Sequence, residues 1–203
     1  MLTKIIAMLS KAEKTKQFIL ETAMPLYNEK GVAGVTIDDI LAATKLTKGA
    51  LYGHFDGKDD LSLQVIDYSL DKVSQRIRSA VSTKKTVKAK IWAFIDFYKD
   101  PIDTLIPGGC PIFNTAVETD DNYPWLKKKV AKVLRQGQEE LTALLQSGIN
   151  NGEFTPELDP ANFAFKLVAS IEGATVMCRA MEVTKPMLAL VKSLKAELAR
   201  YEK

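Results

Sequence analysis

The sequence predicts an all-α protein, and two features support this prediction. Apolar residues recur at steps of three and four along most of the 203 residues, which places them on one face of a helix. Stretches that alternate apolar and polar residues, as half-buried strands do, are absent. Because 46% of the residues are hydrophobic, the chain can bury a substantial core. We therefore expect a globular protein made of packed helices.

The first long helix is predicted from a run of apolar residues at helical spacing. These residues are Ala12, Phe18, Ile19, Ala23, Leu26 and Tyr27. Gly31 is expected to end the helix, because glycine readily adopts the backbone conformation that follows a last helical turn. Pro25 removes one backbone hydrogen bond, so we expect it to kink the last turn.

Two threonines predict the starts of two short helices. A side-chain oxygen at this position accepts a hydrogen bond from the free N–H groups of the first turn. Thr36 can therefore cap a helix that begins at Ile37, and Thr47 can cap a second helix over residues 48–55. Residues 44–46 form the break between the two helices.

Six further helices are predicted after the turn at residues 56–57. Their predicted bounds are 58–82, 86–99, 110–119, 124–150, 158–182 and 185–201. Proline and glycine mark the breaks between them, above all at 107–109, 151–152 and 186. We divide the chain into residues 11–60 and residues 61–203, because the turn at 56–57 separates the three N-terminal helices from the rest.

The composition limits the compartment and the chemistry. No apolar run reaches the roughly 18 residues that a membrane-spanning helix needs, and Lys4 interrupts the apolar start, so neither a membrane partner nor a secretory signal is expected. Cys110 and Cys178 lie far apart and form no CxxC pair, which fits a reducing cytoplasm. Cys110 could sense oxidants, but no neighbouring cation in the sequence would lower its pKa, so a packing role is favoured. No cofactor is expected.

An enzyme is the first alternative class of protein, and the sequence contains few features that support it. There is one histidine, and there is no GxSxG, no HExxH and no phosphate-binding glycine loop. Glu118, Asp120 and Asp121 lie close in sequence, but their spacing fits no calcium-binding or histidine-containing motif. We therefore interpret them as a helix end and a solvated loop, and we assign no catalytic residue and no metal ligand.

Bulk charge does not by itself indicate a partner. The net charge is +3, and residues 1–60 hold eight lysines against eight acidic residues. If this segment binds DNA, it must gather a few cations and backbone N–H groups on one face while the acids lie elsewhere.

Residues 36–61, TIDDILAATKLTKGALYGHFDGKDDL, resemble the helix-turn-helix of the TetR/AcrR family of bacterial transcriptional regulators. The resemblance rests on a threonine at each helix start and on the pairs Lys48-Gly49, Leu51-Tyr52 and His54-Phe55, followed by Lys58. The position agrees too, near the N-terminus after one amphipathic helix. The resemblance implies an N-terminal three-helix DNA-binding domain, followed by a C-terminal helical bundle that binds a ligand and dimerises.

The residue types in this segment fit DNA binding on physical grounds. Helix N-termini hold phosphate oxygens, a glycine at the helix tip lets the backbone approach base edges, and tyrosine, histidine and lysine side chains can donate to phosphates. The predicted DNA contacts are Thr36, Lys45, Thr47, Lys48, Gly49, Ala50, Tyr52, His54 and Lys58. Taken singly, each threonine could be only a helix cap, and Tyr52 or His54 only a surface residue. The joint pattern favours DNA binding.

Two positions depart from the family's usual pattern. The turn between the short helices, usually Ala-Gly-Val, is Thr44-Lys45-Leu46, so Lys45 must adopt a backbone angle that favours glycine. Gly57 stands where a capping side chain often precedes the next helix, so we expect that helix start to be looser.

The stretch 108–121, GGCPIFNTAVETDD, is similar to the C-terminal domain of one TetR subgroup, but it identifies no ligand. The resemblance implies an unknown small-molecule effector, for which we predict a pocket of apolar and a few polar side chains. The predicted lining is Trp92, Phe97, Cys110, Phe113, Asn114, Glu118, Trp125, Phe163 and Glu172. We expect a largely apolar molecule among Trp92, Phe113, Trp125 and Phe163; the alternative is that these aromatic side chains fill the core.

The last two predicted helices carry apolar and small residues on more than one face, which exceeds what a single bundle core needs. In the TetR family this helix pair forms a two-fold interface of four helices. The predicted interface residues are Ala169, Gly173, Ala174, Met177, Leu188, Val191 and Leu194. We therefore predict a homodimer.

The predicted function is that of a repressor that a small-molecule ligand releases from a pseudo-palindromic DNA operator. Helix 58–82 is shared by both parts and is the predicted lever between them. Activation in place of repression stays open from the sequence. A helical adaptor without DNA binding is disfavoured, because Lys48 and Lys58 are present.

Overall fold

The computed structural model describes residues 10–203, and the regular structure of this part consists of nine α-helices. The helices are α1 (Lys11–Gly34), α2 (Ile37–Thr44), α3 (Lys48–Tyr52), α4 (Lys58–Ser82), α5 (Val87–Phe97), α6 (Pro111–Asn122), α7 (Pro124–Asn150), α8 (Pro160–Ala180) and α9 (Lys185–Ala199). The one extended pairing in this range is an isolated bridge between Phe154 and Glu202. The all-α prediction is confirmed. None of these helices is both long and apolar enough to span a membrane. Lys4 lies outside the described residues.

α1 leaves helical geometry at Gly31, where φ is 74° and ψ is 174°, and then resumes for a short turn to Gly34. The backbone around Pro25 stays helical, so the departure expected there occurs at Gly31 instead. The apolar face of α1 is also narrower than predicted. Ala12 and Phe18 are exposed, and Phe18 shows 46% of its surface to solvent.

α3 is shorter than predicted. It ends at Tyr52 and not at Phe55, because Gly53 disfavours a helical turn and the His54 amide donates to the Leu51 carbonyl at 3.0 Å, which closes a tighter turn. The bounds of the other helices agree with the prediction to within three residues at each end.

The helices enclose two apolar cores. The N-terminal core contains buried residues of α1 to α4 together with Ile106 and Leu126. Its fully buried members include Ile19, Val35, Ile40, Leu51, Leu61 and Val65. The C-terminal core lies among α5, α7, α8 and α9. Its fully buried members include Ile91, Ile95, Leu145, Phe154, Leu167 and Leu198.

α4 belongs to both cores. Its first half, from Leu61 to Val73, packs in the N-terminal core, and Ile77 contacts both cores. The N-terminal helices therefore share their core with residues beyond the boundary drawn at residue 60. The division into residues 11–60 and 61–203 stays a prediction.

Candidate nucleic-acid interface and ligand cavity

α3 presents its outer face to solvent. Leu51 is fully buried and holds α3 on its neighbours, whereas Lys48, Gly49, Ala50 and Tyr52 are exposed. A Cβ added to Gly49 would meet no atom within 4 Å, so this part of the helix has room for a close approach. The structure thus brings four predicted DNA contacts together on one exposed surface.

The start of α3 suits an anion. Thr47 caps it, because the Thr47 hydroxyl oxygen accepts the N–H of Ala50 at 3.2 Å. The first turn contains no acidic residue, and the side chains of Lys45 and Lys48 on either side of the cap are exposed. Free N–H groups at a helix start carry partial positive charge, so they and the two cations would attract a phosphate together.

The start of α2 differs electrostatically. The backbone N–H and the hydroxyl of Thr36 both donate to Asp39 Oδ2, at 2.8 and 2.7 Å. Lys30 donates to the same carboxyl at 2.7 Å, and Lys30 and Thr36 together hold the pKa of Asp39 well below its usual range. Asp38, which is exposed, adds a second acid. The N–H and the hydroxyl of Thr36 are therefore already hydrogen-bonded to Asp39. The start of α2 is expected to attract a phosphate less strongly than the start of α3 at Thr47.

His54 and Lys58 lie beyond α3, at the turn into α4, and both are half-buried. Gly57 has no side chain and so supplies no side-chain cap to α4, as predicted. The Asp60 carboxylate instead accepts the N–H of Asp56 at 3.0 Å. A side chain of α4 therefore stabilises the turn, although the usual cap at the start of α4 is missing.

A cavity of about 490 Å³ lies beside α4. Four residues of α4 form one wall: Val73, Arg76, Ser79 and Ala80. The end of α5, residues 100–101 and 103–106 of the following loop, and residues 109–111 form most of the rest. Of the predicted ligand residues, Phe97 and Cys110 line this cavity.

A smaller cavity of about 140 Å³ shares Gly109, Cys110 and Thr175 with the large one. Four of the predicted ligand residues line it, namely Cys110, Phe113, Asn114 and Glu172. Arg179 also lines the small cavity and was not among the predicted residues. It lies two helical turns beyond Glu172 on α8, and a single arginine near a helix end gives no signal of its own.

The other four predicted ligand residues line neither of these two cavities. Phe163 is buried in the C-terminal core, and Trp92 packs half-buried against the same core. Trp125 is 42% exposed on the surface, and Glu118 binds backbone groups of α1. Of the four aromatic residues expected around one ligand, Phe113 alone lines one of these two cavities.

Burial changes the acid–base chemistry of three groups around the cavities. It raises the pKa of Glu172 to about 7, and a hydrogen bond with Cys110 opposes this rise. It also raises the pKa of the Cys110 thiol and of the Tyr98 hydroxyl well above their usual ranges. The Cys110 thiol therefore stays protonated near neutral pH, which favours packing over oxidant sensing.

An apolar stripe runs along the outside of α8 and continues onto α9. Its large exposed side chains are Phe165, Val176, Met177, Met181 and Leu188, each more than half exposed. Ala169 and Gly173 are exposed between them, and Ala174 is half-buried. Val191 and Leu194 face the chain's own core instead, with 8% and 3% exposure, so their assignment to a dimer interface is corrected.

Known families match both parts of the chain. The family model described as "Tetracyclin repressor-like, C-terminal domain" matches residues 87–194, which is more than half of the chain. The model described as "Bacterial regulatory proteins, tetR family" matches residues 19–65. The chain belongs to the TetR family.

Solved TetR-family structures are similar over nearly the whole chain. A regulator from Chloroflexus aurantiacus is 35% identical with a TM-score of 0.90, and one from Cytophaga hutchinsonii is 34% identical with a TM-score of 0.88. Each covers 96% of this chain and 98% of the other. A curated relative, the HTH-type transcriptional repressor DhaR of Mycobacterium sp. (strain GP1), is 23% identical over 172 residues, which is 85% of this chain and 86% of DhaR. The chain is therefore a DNA-binding transcriptional regulator.

In this TetR-family regulator, Glu118 ties α6 to the break in α1. Its carboxylate oxygens accept the N–H groups of Val32 and Ala33 at 2.9 and 3.0 Å. A Cβ at Gly31 would lie 2.8 Å from the same carboxylate, and Gly31 has a positive φ, so glycine is needed for this contact. Glu118 was predicted to contact a ligand, and the structure uses its carboxylate to join the two parts of the chain.

Asn28 and Asn114 form a second link between the same helices. The amide nitrogen of Asn114 lies 3.0 to 3.1 Å from both oxygens of Asn28 and from the Gly108 carbonyl. The amide nitrogen of Asn28 donates to the carbonyls of Pro107 and Gly109 at 2.7 and 3.0 Å. Since Gly109 lines both cavities, a chain of hydrogen bonds runs from the cavity wall to α1. Asn28 was missed because its partners lie 79 and 81 residues away in sequence.

Lys45 offers a direct test of the turn between α2 and α3. It adopts the left-handed conformation that its place in the turn predicted, with φ 59° and ψ 22°. This conformation costs a residue with a Cβ about 1 kcal/mol relative to glycine. Lys45→Gly is therefore expected to raise the midpoint of thermal unfolding by about 2–4 °C at fixed protein concentration. Lys48→Gly, which places glycine inside a helix, should lower it, and a midpoint that does not rise for Lys45→Gly would contradict the strain argument.

Proposed function

We propose that this regulator is a repressor that binds a palindromic operator as a homodimer and leaves it when a small molecule occupies the cavity beside α4. One observation carries the proposal: α4 begins after the turn that follows the exposed face of α3, and it lines the cavity about 22 Å further along its axis. The sensing and binding surfaces therefore share one rigid element. We assign no catalytic role and place the protein in the cytoplasm, where its operator lies.

The apolar stripe on α8 and α9 supports the homodimer. Exposed apolar patches of this kind on a soluble protein are typical of protein–protein interfaces. A two-fold axis through the stripe would repeat α3 in a second copy, and two recognition helices about 34 Å apart can read successive major grooves on one side of DNA. The operator is expected to show the same two-fold symmetry.

The repressor role is supported by the relative DhaR, whose name describes it as a transcriptional repressor. The release mechanism is supported by the packing of α4 in both cores. A ligand that prefers one tilt of α4 would change the separation of the two α3 helices. Its effect on operator affinity can be no larger than the difference in its affinity for the two tilts.

Selection from random double-stranded DNA tests the proposed operator. The purified full chain should enrich a sequence with two inverted half-sites whose centres lie about one helical turn apart. Enrichment of a single unrepeated half-site would contradict the dimeric mode. Failure to enrich any sequence would contradict operator recognition altogether.

Removing one cation from α3 should weaken operator binding without unfolding the protein. Lys48 is exposed, and a dimer carries two copies, so Lys48→Ala is expected to raise the Kd of the operator complex by roughly 10- to 30-fold, at about 1 kcal/mol for each phosphate contact. The dependence of log affinity on log salt should become shallower by about two units. Gel shifts at matched salt measure both effects.

Tyr52→Phe isolates the tyrosine hydroxyl, because it keeps the ring and removes only the oxygen. Tyr52 is 39% exposed, so the protein should keep its fold and its thermal unfolding midpoint while operator affinity falls several-fold. Lys132→Ala, an exposed lysine on α7, is the matched control for Lys48→Ala and should leave operator affinity unchanged. Unchanged affinity in both α3 variants would show that this surface does not contact DNA.

A further inference from the structure

The small cavity contains a buried carboxyl group that lacks a full set of hydrogen bonds. Glu172 is only 4% exposed and lines the cavity. Within residues 10–203, no protein group hydrogen-bonds its buried Oε2 atom. Buried carboxylate oxygens are normally paired, because an unpaired one gives up its hydration without compensation.

The polar neighbours of Glu172 are engaged elsewhere. The Thr175 hydroxyl donates to the Ile171 carbonyl at 2.9 Å. The Arg179 guanidinium lies 3.4 and 3.3 Å from the carbonyls of Pro101 and Ile102, and it forms no ion pair with Glu172 within 4.0 Å. The amide nitrogen of Asn114 is held by Asn28 and Gly108. Among the buried side-chain nitrogen and oxygen atoms of this lining, Glu172 Oε2 is therefore the one that can still accept a hydrogen bond.

The two cavities together define the shape of a ligand. The large cavity offers apolar walls, which include Val73, Phe97, Leu105 and Ile106. The small cavity, with Glu172, lies next to it, and Gly109, Cys110 and Thr175 line both. A molecule that reaches both would need an apolar, ring-sized body in the large cavity and a short polar head in the small one.

We propose that the effector of this regulator is an apolar molecule with a protonated amine, whose ammonium group donates to Glu172 Oε2. The inference rests on the proposed ligand-sensing function and names the class of ligand. The apolar body occupies the large cavity, and the ammonium group enters the small one.

A cationic head fits better than a neutral or an anionic one. A carboxylate–ammonium hydrogen bond is charge-assisted and roughly twice as strong as a neutral one. An anionic head would place a second negative charge beside Glu172, and the Nη1 atom of Arg179 is already directed at two carbonyls. Burial raises the pKa of Glu172 to about 7, and a bound cation would lower it by favouring the ionised form.

Three probes of similar shape test the charge preference on the full chain without DNA: 2-naphthylmethylamine, 2-naphthylmethanol and 2-naphthoic acid. Calorimetric titration near pH 8, where the amine is still mostly protonated, should show at least about tenfold tighter binding of the amine than of the alcohol, with the acid weakest. Glu172→Gln keeps the shape and removes the charge, so the amine and the alcohol should bind it about equally. Glu139→Gln, an exposed glutamate on α7, should keep the wild-type preference.

The pH dependence of amine binding gives a second test that needs no variant. Amine affinity should fall as pH is lowered from about 8 to about 6, because Glu172 takes up a proton near pH 7. Three other titratable groups at the cavities have pKa values displaced away from this range. Burial raises the pKa of Tyr98 and of Cys110 well above it, and hydrogen bonds from backbone N–H groups lower the pKa of Asp100 at the rim.

Equal binding of the amine and the alcohol, or no binding of any of the three probes, would overturn the proposal. Tighter binding of the acid would overturn it too and would assign the polar contact to Arg179. A pH-independent amine affinity in the wild-type chain would exclude Glu172 as the partner. Operator binding is measured separately by gel shift. An amine preference without operator binding would refute the proposed repressor function and leave the ligand proposal intact.

Discussion

Replacing Gly173 by glutamate is expected to convert the proposed dimer of this regulator to a monomer and to lower its operator affinity by more than about a hundredfold. Gly173 lies in the middle of the apolar stripe on α8, and a Cβ added there would meet no atom within 4 Å. The glutamate therefore fits the single chain. Across a two-fold axis it would place two like charges in an apolar interface, at a cost of about 3–5 kcal/mol. A monomer carries one recognition helix and loses half of its DNA contacts.

Gly137 on α7 provides a matched control. It is also an exposed helical glycine with no atom within 4 Å of an added Cβ, and it lies away from the stripe. Gly137→Glu should leave both the dimer and the operator affinity intact. Both substitutions remove glycine from a helix interior, so neither should destabilise the single chain. Sedimentation at micromolar concentration and gel shifts measure the outcome. A dimeric Gly173→Glu variant, or a monomeric wild-type protein, would refute the assignment of this interface.

Local features of the fold were predictable from the sequence. Thr36 and Thr47 cap their helices as expected, because capping depends only on residues up to three positions away. Lys45 adopts the left-handed angle that its place in a short turn requires. The α3 end was misplaced because Phe55 continues the apolar spacing of Leu51, although Gly53 and His54 turn the chain between them. Apolar spacing identifies a buried side chain without showing that the backbone is helical there.

The cavity lining was harder to predict, because it depends on contacts between distant segments. Phe97 and Phe163 are both apolar and at helical spacing, yet one lines the cavity and the other fills the C-terminal core. Val191, Leu194 and Leu188 are all apolar residues of α9, yet the first two are buried in the C-terminal core and Leu188 is exposed. Polar residues were assigned to a ligand because the sequence shows no other partner for them. For Glu118 those partners are backbone groups 85 and 86 residues away in sequence.

Asn114→Ala is expected to loosen the connection between the cavity and the DNA-binding helices. The amide nitrogen of Asn114 lies within hydrogen-bond distance of two oxygen atoms of Asn28 and of the Gly108 carbonyl oxygen. Its removal therefore leaves partly buried acceptors with fewer donors. At about 0.5–1.5 kcal/mol for each hydrogen bond, the free energy of unfolding should fall by roughly 2–4 kcal/mol. The thermal midpoint should drop by roughly 5–15 °C at fixed protein concentration.

The position of the loss distinguishes this link from a general defect in packing. Hydrogen exchange should speed up at the C-terminal half of α1 and at α6, while the backbone of α8 and α9 keeps its protection, because those helices pack in the other core. Asn122→Ala is the matched control on the same helix: Asn122 is exposed, and its amide makes only a 3.4 Å contact to the Glu118 carbonyl. Uniformly faster exchange, or equal losses in the two variants, would show that Asn114 is not a specific connection. If the loss of protection is confined to α1 and α6, the variant also tests the coupling to DNA. An effector in the cavity should then change operator affinity less in Asn114→Ala than in the wild-type chain. The reason is that the hydrogen bonds from Gly109 to α1 would no longer transmit the binding of the effector.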